Sequence, residues 1–146
     1  MLLNTSASVI SFAKQLETDS AEFYQKMTEI CPEEREKLLG FVKENNKYST
    51  MVERSYYSVI TDAIEGCFAF SVETDKYVFA KEAAGGSSPA SAVEQAIDME
   101  RKMLSFYNDA AEQSRALMAD VPRTFLIVAK KRKTREETLR ALLKEK

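Results

Sequence analysis

The sequence predicts an all-α fold: a four-helix bundle of two antiparallel hairpins joined by a long crossover connection. Three observations predict it. Four segments carry apolar residues at a 3.6-residue period. Two of the three connections between them are a few residues long, which makes each joined pair a hairpin, whereas the middle one is much longer. Only four Gly and three Pro interrupt runs rich in Ala, Glu, Lys, Leu and Met, a composition that favours helices over a sandwich or barrel. Residues 1–146 are enough for one domain with one core.

The first segment starts among the small polar residues Asn4 to Ser8, which can cap it, and ends about Ile30. The second opens at CPEERE. Pro32 suits the first helical position, and Glu33, Glu34 and Glu36 sit at the positive end of the helix. It runs to about Glu65, where Gly66 stops it. The connection CFAFSVETDKYVFAKEAAGGSS follows. Extended, it reaches roughly 75 Å, against about 40 Å for a helix of about 27 residues, so it can cross the length of the bundle. CFAFSV alternates weakly like a strand, and no regular structure is assigned to it. The third segment is capped by Ser88 with Pro89 in the first turn and continues to about Met118. The fourth starts around Asp120 and Pro122 and runs almost to Lys146.

Several function classes are disfavoured at once. The chain has no His, which removes the commonest general acid/base, the commonest transition-metal ligand and any Ser-His or Cys-His nucleophile. Cys31 and Cys67 are the only cysteines and form no C-x-x-C, so both read as reduced thiols. No long uncharged apolar run or basic leader suggests a membrane span or secretory signal, and a cytoplasmic location is expected.

Each segment presents one seam at alternating spacings of three and four. The first gives Ile10, Ala13, Glu17, Ser20, Tyr24 and Met27; the third gives Val93, Ala96, Glu100, Met103, Tyr107 and Ala110. Both carry a carboxylate in mid-seam. The second gives Leu38, Phe41, Asn45, Tyr48, Val52, Ser55 and Val59, and the fourth gives Phe125, Val128, Arg132, Arg135, Leu139 and Leu142. Both carry a polar i, i+3 pair instead. The halves also match each other: LETDSAEFY at Leu16–Tyr24 aligns with MERKMLSFY at Met99–Tyr107, and Asn45 and Tyr48 align with Arg132 and Arg135.

Glu-x5-Phe-Tyr in the first and third segments, the duplicated hairpin and the long middle connection resemble the rubrerythrin branch of the ferritin-like superfamily. The resemblance spans roughly residues 8 to 143. In that family two helices each contribute a Glu and two a Glu-x-x-His, which together bind two iron or manganese ions. The resemblance places Glu17 and Glu100 on the single-carboxylate positions. The Glu-x-x-His positions fall on Asn45 and Tyr48 and on Arg132 and Arg135, so all four of those ligands are replaced.

Charge suggests what replaced the metal. Two buried carboxylates without a counter-charge would each cost several kcal/mol or protonate, and Arg132 and Arg135 bring two positive charges to the same level. Arg pairs bidentately with carboxylates and cannot discharge, which suits a buried pair. The expectation is a buried ion-pair cluster of Glu17, Glu100, Arg132 and Arg135, with Asn45, Tyr48, Tyr24 and Tyr107 filling the remaining hydrogen bonds. No cofactor or metal is expected, and the reading favours a non-catalytic binding or structural protein that self-associates, with a dimer favoured. The bland reading of the arginines is that they snorkel to solvent along the rim of the bundle.

Two alternatives compete. One is an iron-binding di-iron oxidoreductase in which Glu44, Glu53 or Glu137 joins Glu17 and Glu100. The other takes the basic run AKKRKTR as a nucleic-acid or anionic-lipid surface. Residues 123–146 hold nine Lys or Arg against three Glu, while residues 1–122 hold twelve against twenty acids. No aromatic residue interleaves with the basic run for base stacking, so nucleic acid is disfavoured. GGSS at Gly85–Ser88 lacks the strand and Lys of a phosphate loop and reads as a flexible connection. Tyr56 and Tyr57 with Phe68 and Phe70 read as core and crossover packing rather than a subunit interface, and the six Met as helix filling.

Overall fold

The computed structural model describes residues 1–57, 70–80, 88–114 and 120–145. Four helices dominate: α1 (Ser6–Ile30), α2 (Arg35–Tyr57), α3 (Pro89–Ser114) and α4 (Asp120–Glu145). Two strands of two residues, β1 (Leu2–Leu3) and β2 (Val72–Glu73), pair antiparallel. The ends expected at Glu65 and Met118, together with Val59, Cys67 and Phe68, lie outside the described residues.

Local chemistry sets the helix ends. Thr5 caps α1 in a reciprocal box: its hydroxyl accepts from the Ser8 amide at 3.1 Å, and the Ser8 hydroxyl accepts from the Thr5 amide at 3.3 Å. At the other end Pro32 disfavours helical backbone at Cys31, which turns to φ −123°, ψ 67° while its amide still reaches the Met27 carbonyl. Pro32 does not open α2 directly as the sequence suggested. Pro32–Glu34 form a 3-10 turn, and α2 begins at Arg35. Ser88 caps α3 as expected, its hydroxyl accepting from the Ser91 amide at 3.1 Å.

Cross-helix contacts fix the packing order. Lys14 pairs with Glu53 and Tyr24 packs on Phe41, so α1 and α2 are antiparallel. Arg101 meets Glu136 and Tyr107 meets Phe125, which does the same for α3 and α4. The hairpins meet through α1 against α3, where Phe12 faces Phe106 and the Cys31 thiol approaches the Pro89 carbonyl. They also meet through α2 against α4, where Phe41 and Asn45 face Arg135 and Arg132. Every neighbouring pair is thus antiparallel, and the diagonal helices α2 and α3 run the same way. All described members of the four seams are buried.

Residues 70–80 lie along α3. The Ser71 backbone exchanges hydrogen bonds with the Gln113 side chain, and further along Lys102 donates to the Val78 carbonyl at 3.1 Å. Tyr77 inserts its ring near Phe12 and Phe106 and donates its hydroxyl to Asp109. The strand at Val72–Glu73, left unassigned from sequence, exists because Val72 and Leu3 both turn to the core when their backbones pair. Tyr56 and Phe70 are buried in the core. Among the described residues no helix is long and apolar enough to cross a membrane.

Tyr77 should therefore anchor this segment. Tyr77→Phe loses one hydrogen bond to an exposed carboxylate and should cost about 1 kcal/mol, whereas Tyr77→Ala also empties an aromatic site and should cost about 3–5 kcal/mol. Urea-denaturation midpoints check both, and equal midpoints for the two variants would contradict the anchoring role.

Candidate functional site at the centre of the bundle

Each helix delivers one polar side chain to the same level of the core: Glu17 from α1, Asn45 from α2, Glu100 from α3 and Arg132 from α4. Arg132, 0 % exposed, stands between the two carboxylates. Its Nη1 donates to both Glu100 oxygens, at 2.9 and 2.7 Å, and more weakly to the Ser20 hydroxyl at 3.3 Å. Its Nη2 donates to Glu17 Oε1 and, at 3.3 Å, to Asn45 Oδ1.

Arg135 lies one turn along α4 and is also buried. Its Nη1 donates to Asn45 Oδ1 at 2.6 Å and lies 3.6 Å from Glu100 Oε2. Its Nη2 reaches outward to Glu44 Oε1 at 3.2 Å and the Phe41 carbonyl at 3.4 Å. Asn45 therefore accepts from both arginines while donating to the Glu17 carbonyl at 3.3 Å. A neutral acceptor between two guanidiniums separates like charges at no cost in net charge.

The tyrosines close the network. Tyr107 donates to Glu17 Oε2 at 2.6 Å, and Tyr24 donates to Glu100 Oε2. These bonds are reciprocal across the hairpins: each half's tyrosine serves the other half's carboxylate, as the repeat of Glu17 on Glu100 and Tyr24 on Tyr107 requires of a pseudo-twofold arrangement. Aromatic faces cover what remains of the guanidiniums. Arg135 sits 4.5 Å from the Phe41 ring centre, 5.3 Å from that of Tyr24 and 5.5 Å from that of Tyr48, and Arg132 is 5.5 Å from Tyr48. The Nε atoms of Arg132 and Arg135 are buried with no hydrogen-bond partner among the described residues.

Burial and pairing compete over the charges. Burial raises the Glu17 carboxyl above its ordinary range even though Arg132 and Tyr107 pull it down. Burial acting alone would lower Arg132, but Glu100 and Glu17 more than reverse it, so the guanidinium is held charged. Tyr24 and Tyr107 are pushed well above the usual phenol range by burial first and by their carboxylate partners second.

The donor set does not fit a dimetal centre. All four oxygens of Glu17 and Glu100 already accept hydrogen bonds, three of them from Arg132. A cation would meet that guanidinium at contact distance. The other carboxylates considered do not join: Glu44 pairs with Arg135 from a half-exposed position, Glu53 pairs with Lys14 on the surface, and Glu137 is exposed. Among the described residues no group of three His, Cys, Asp or Glu could hold a metal ion. The arginines do not snorkel: Arg132 and Arg135 are buried at the level of the other seams' polar members, where carboxylates meet their guanidiniums. Sequence reasoning missed the cover that Phe41 gives Arg135, although Phe41 already lay on the seam one and two turns before Asn45 and Tyr48.

Two outcomes follow. Arg132→Met leaves the buried Glu17 without a counter-charge and Glu100 with only the more distant Arg135, and should cost about 3–5 kcal/mol, whereas Glu17→Gln, Glu100→Gln and Arg132→Met combined should recover most of that loss; chemical denaturation measures both, and a single variant as stable as the parent would contradict the pairing. Above pH 10 the unfolded chain ionises its tyrosines while Tyr24 and Tyr107 stay neutral in the fold, so the folded state binds more protons and stability falls as pH rises. The slope should be about 1.4 kcal/mol per pH unit for each of these tyrosines, and their ionisation, seen as tyrosinate absorbance, should appear together with loss of helical circular dichroism.

No family model, curated protein or solved structure matches the chain.

Proposed function

We propose that the chain is a ferritin-like bundle whose dimetal positions have become an arginine–carboxylate cluster, and that it acts as a metal-independent, non-catalytic binding or structural protein. The observation that carries this reading is the single guanidinium of Arg132 bonded to both Glu17 and Glu100. The helix directions support the ferritin-like part. With α2 and α3 parallel across the diagonal, the chain between them must return along the bundle, and residues 70–80 run beside α3 in the opposite sense to it, from Gln113 towards Lys102. A long crossover connection accounts for both facts.

A buried cluster with every carboxylate oxygen engaged has no open position for substrate. Its chemistry is structural: it fixes the register of α1, α3 and α4 by charge pairing and ties in α2 through the hydrogen bonds of Asn45. Activity of this protein therefore belongs to its surface, through ligands or through a second copy of the chain.

Elemental analysis tests the proposal. Protein purified from cells grown with added iron and manganese should carry far less than one metal ion per chain, and stoichiometric iron or manganese lost on Glu17→Gln would overturn it. Sedimentation equilibrium should give twice the 16.5 kDa of one chain, the mass of a dimer.

A further inference from the structure

We propose that the outer cleft between α2 and α4 binds a small molecule through two or more phosphate groups. The proposal concerns the surface and does not rest on the ancestry of the buried cluster. Two adjoining cavities of about 500 and 630 Å³ open there, sharing Glu44, Tyr48 and Lys131 in their walls. Each is the size of an ordinary small-molecule site.

Charge identifies the ligand. Lys43, Lys47 and Arg54 line the cleft from α2, and Lys130 and Lys131 line it from α4. None of the five side chains makes a hydrogen bond or ion pair among the described residues. Several other surface cations are paired: Lys14 with Glu53, Lys37 with Glu34, Lys102 with Asp98, and Arg101 and Arg140 with Glu136. Lys43 and Lys47 stand four residues apart on one helix face, where like charges destabilise the helix. Five uncompensated cations converging on one concavity from two helices call for a multiply charged anion.

One carboxylate faces them. Glu44 lines both cavities and is held by Arg135, whose buried guanidinium lines the first cavity. An incoming anionic group would compete with Glu44 for that guanidinium. Four of the five free cations are lysines, whose compact ammonium groups suit tetrahedral phosphate oxygens approached from several sides better than a planar carboxylate. A concave cleft with cations on both walls favours a small ligand over a nucleic-acid strand, and the aromatic residue shared by the two cavities, Tyr48, is buried too deeply to stack a base.

Calorimetric titration with inorganic tripolyphosphate and with ATP tests this. Both should bind one per chain, weakening as salt rises. Equal affinities would identify a bare phosphate chain as the recognised part, and tighter ATP a nucleotide-like body; either supports the site. Lys131→Gln and Lys47→Gln, both exposed positions that leave the core intact, should each weaken binding about fivefold, while Glu44→Gln should tighten it. Absence of saturable binding at low salt, no response to Lys131→Gln and Lys47→Gln, no tightening by Glu44→Gln, or tighter binding of a single-stranded oligonucleotide than of either probe would overturn the proposal.

Discussion

The guanidinium of Arg132 between Glu17 and Glu100 is the interaction on which the rest of the bundle depends. A charge moved from water into a core loses several kcal/mol of hydration, and it stays there only if counter-charges meet it at hydrogen-bonding distance. Here three of the four helices must hold their polar residues at one level for that to happen. Sliding any one of those three helices by a turn would strand a carboxylate or a guanidinium among Val, Met and Phe side chains. The apolar seams above and below tolerate small adjustments, since one buried methyl resembles another. The ion pair does not, so it sets register while hydrophobic burial supplies most of the stability.

Much of this arrangement was legible in the sequence because helical periodicity is unforgiving. Glu17, Asn45, Glu100, Arg132 and Arg135 each interrupt an otherwise apolar seam, and a seam residue has nowhere to point but inward. The tyrosines were legible for the same reason as fillers of the remaining hydrogen bonds, whereas their reciprocal pairing across the hairpins shows only in the packed bundle. What stayed hidden was whatever depends on distances between elements. The two-residue strands of β1 and β2 are too short for any period to show, and their pairing joins residues seventy positions apart. Tyr77 gave no periodic signal at all, lying in an irregular stretch whose place over Phe12 and Phe106 is decided only when α1 and α3 have met.

The basic cleft illustrates the same limit from the other side. Along the sequence AKKRKTR is one run, yet folding sorts it into two populations with different roles. Arg132 and Arg135 turn into the core, while Lys130, Lys131 and Lys133 remain at the surface. The surface members gain company from α2, whose Lys43 and Lys47 are some ninety positions away in sequence. Arg135 touches both worlds, meeting Glu44 near the cleft and Asn45 in the interior. A perturbation at the outer carboxylate thus has a short covalent and hydrogen-bonded route to the inner cluster.

The uneven division of charge between the two halves has a consequence for assembly. The hairpin of α1 and α2 brings one acid and a neutral Asn45 and Tyr48 to the centre, whereas that of α3 and α4 brings one acid and both guanidiniums. Two copies of the former would bury a pair of unopposed negative charges; two copies of the latter would crowd four positive groups around two negative ones. Only the unlike partnership is neutral, so the interior discriminates against the pairing of two like halves, whether they come from one chain or from two.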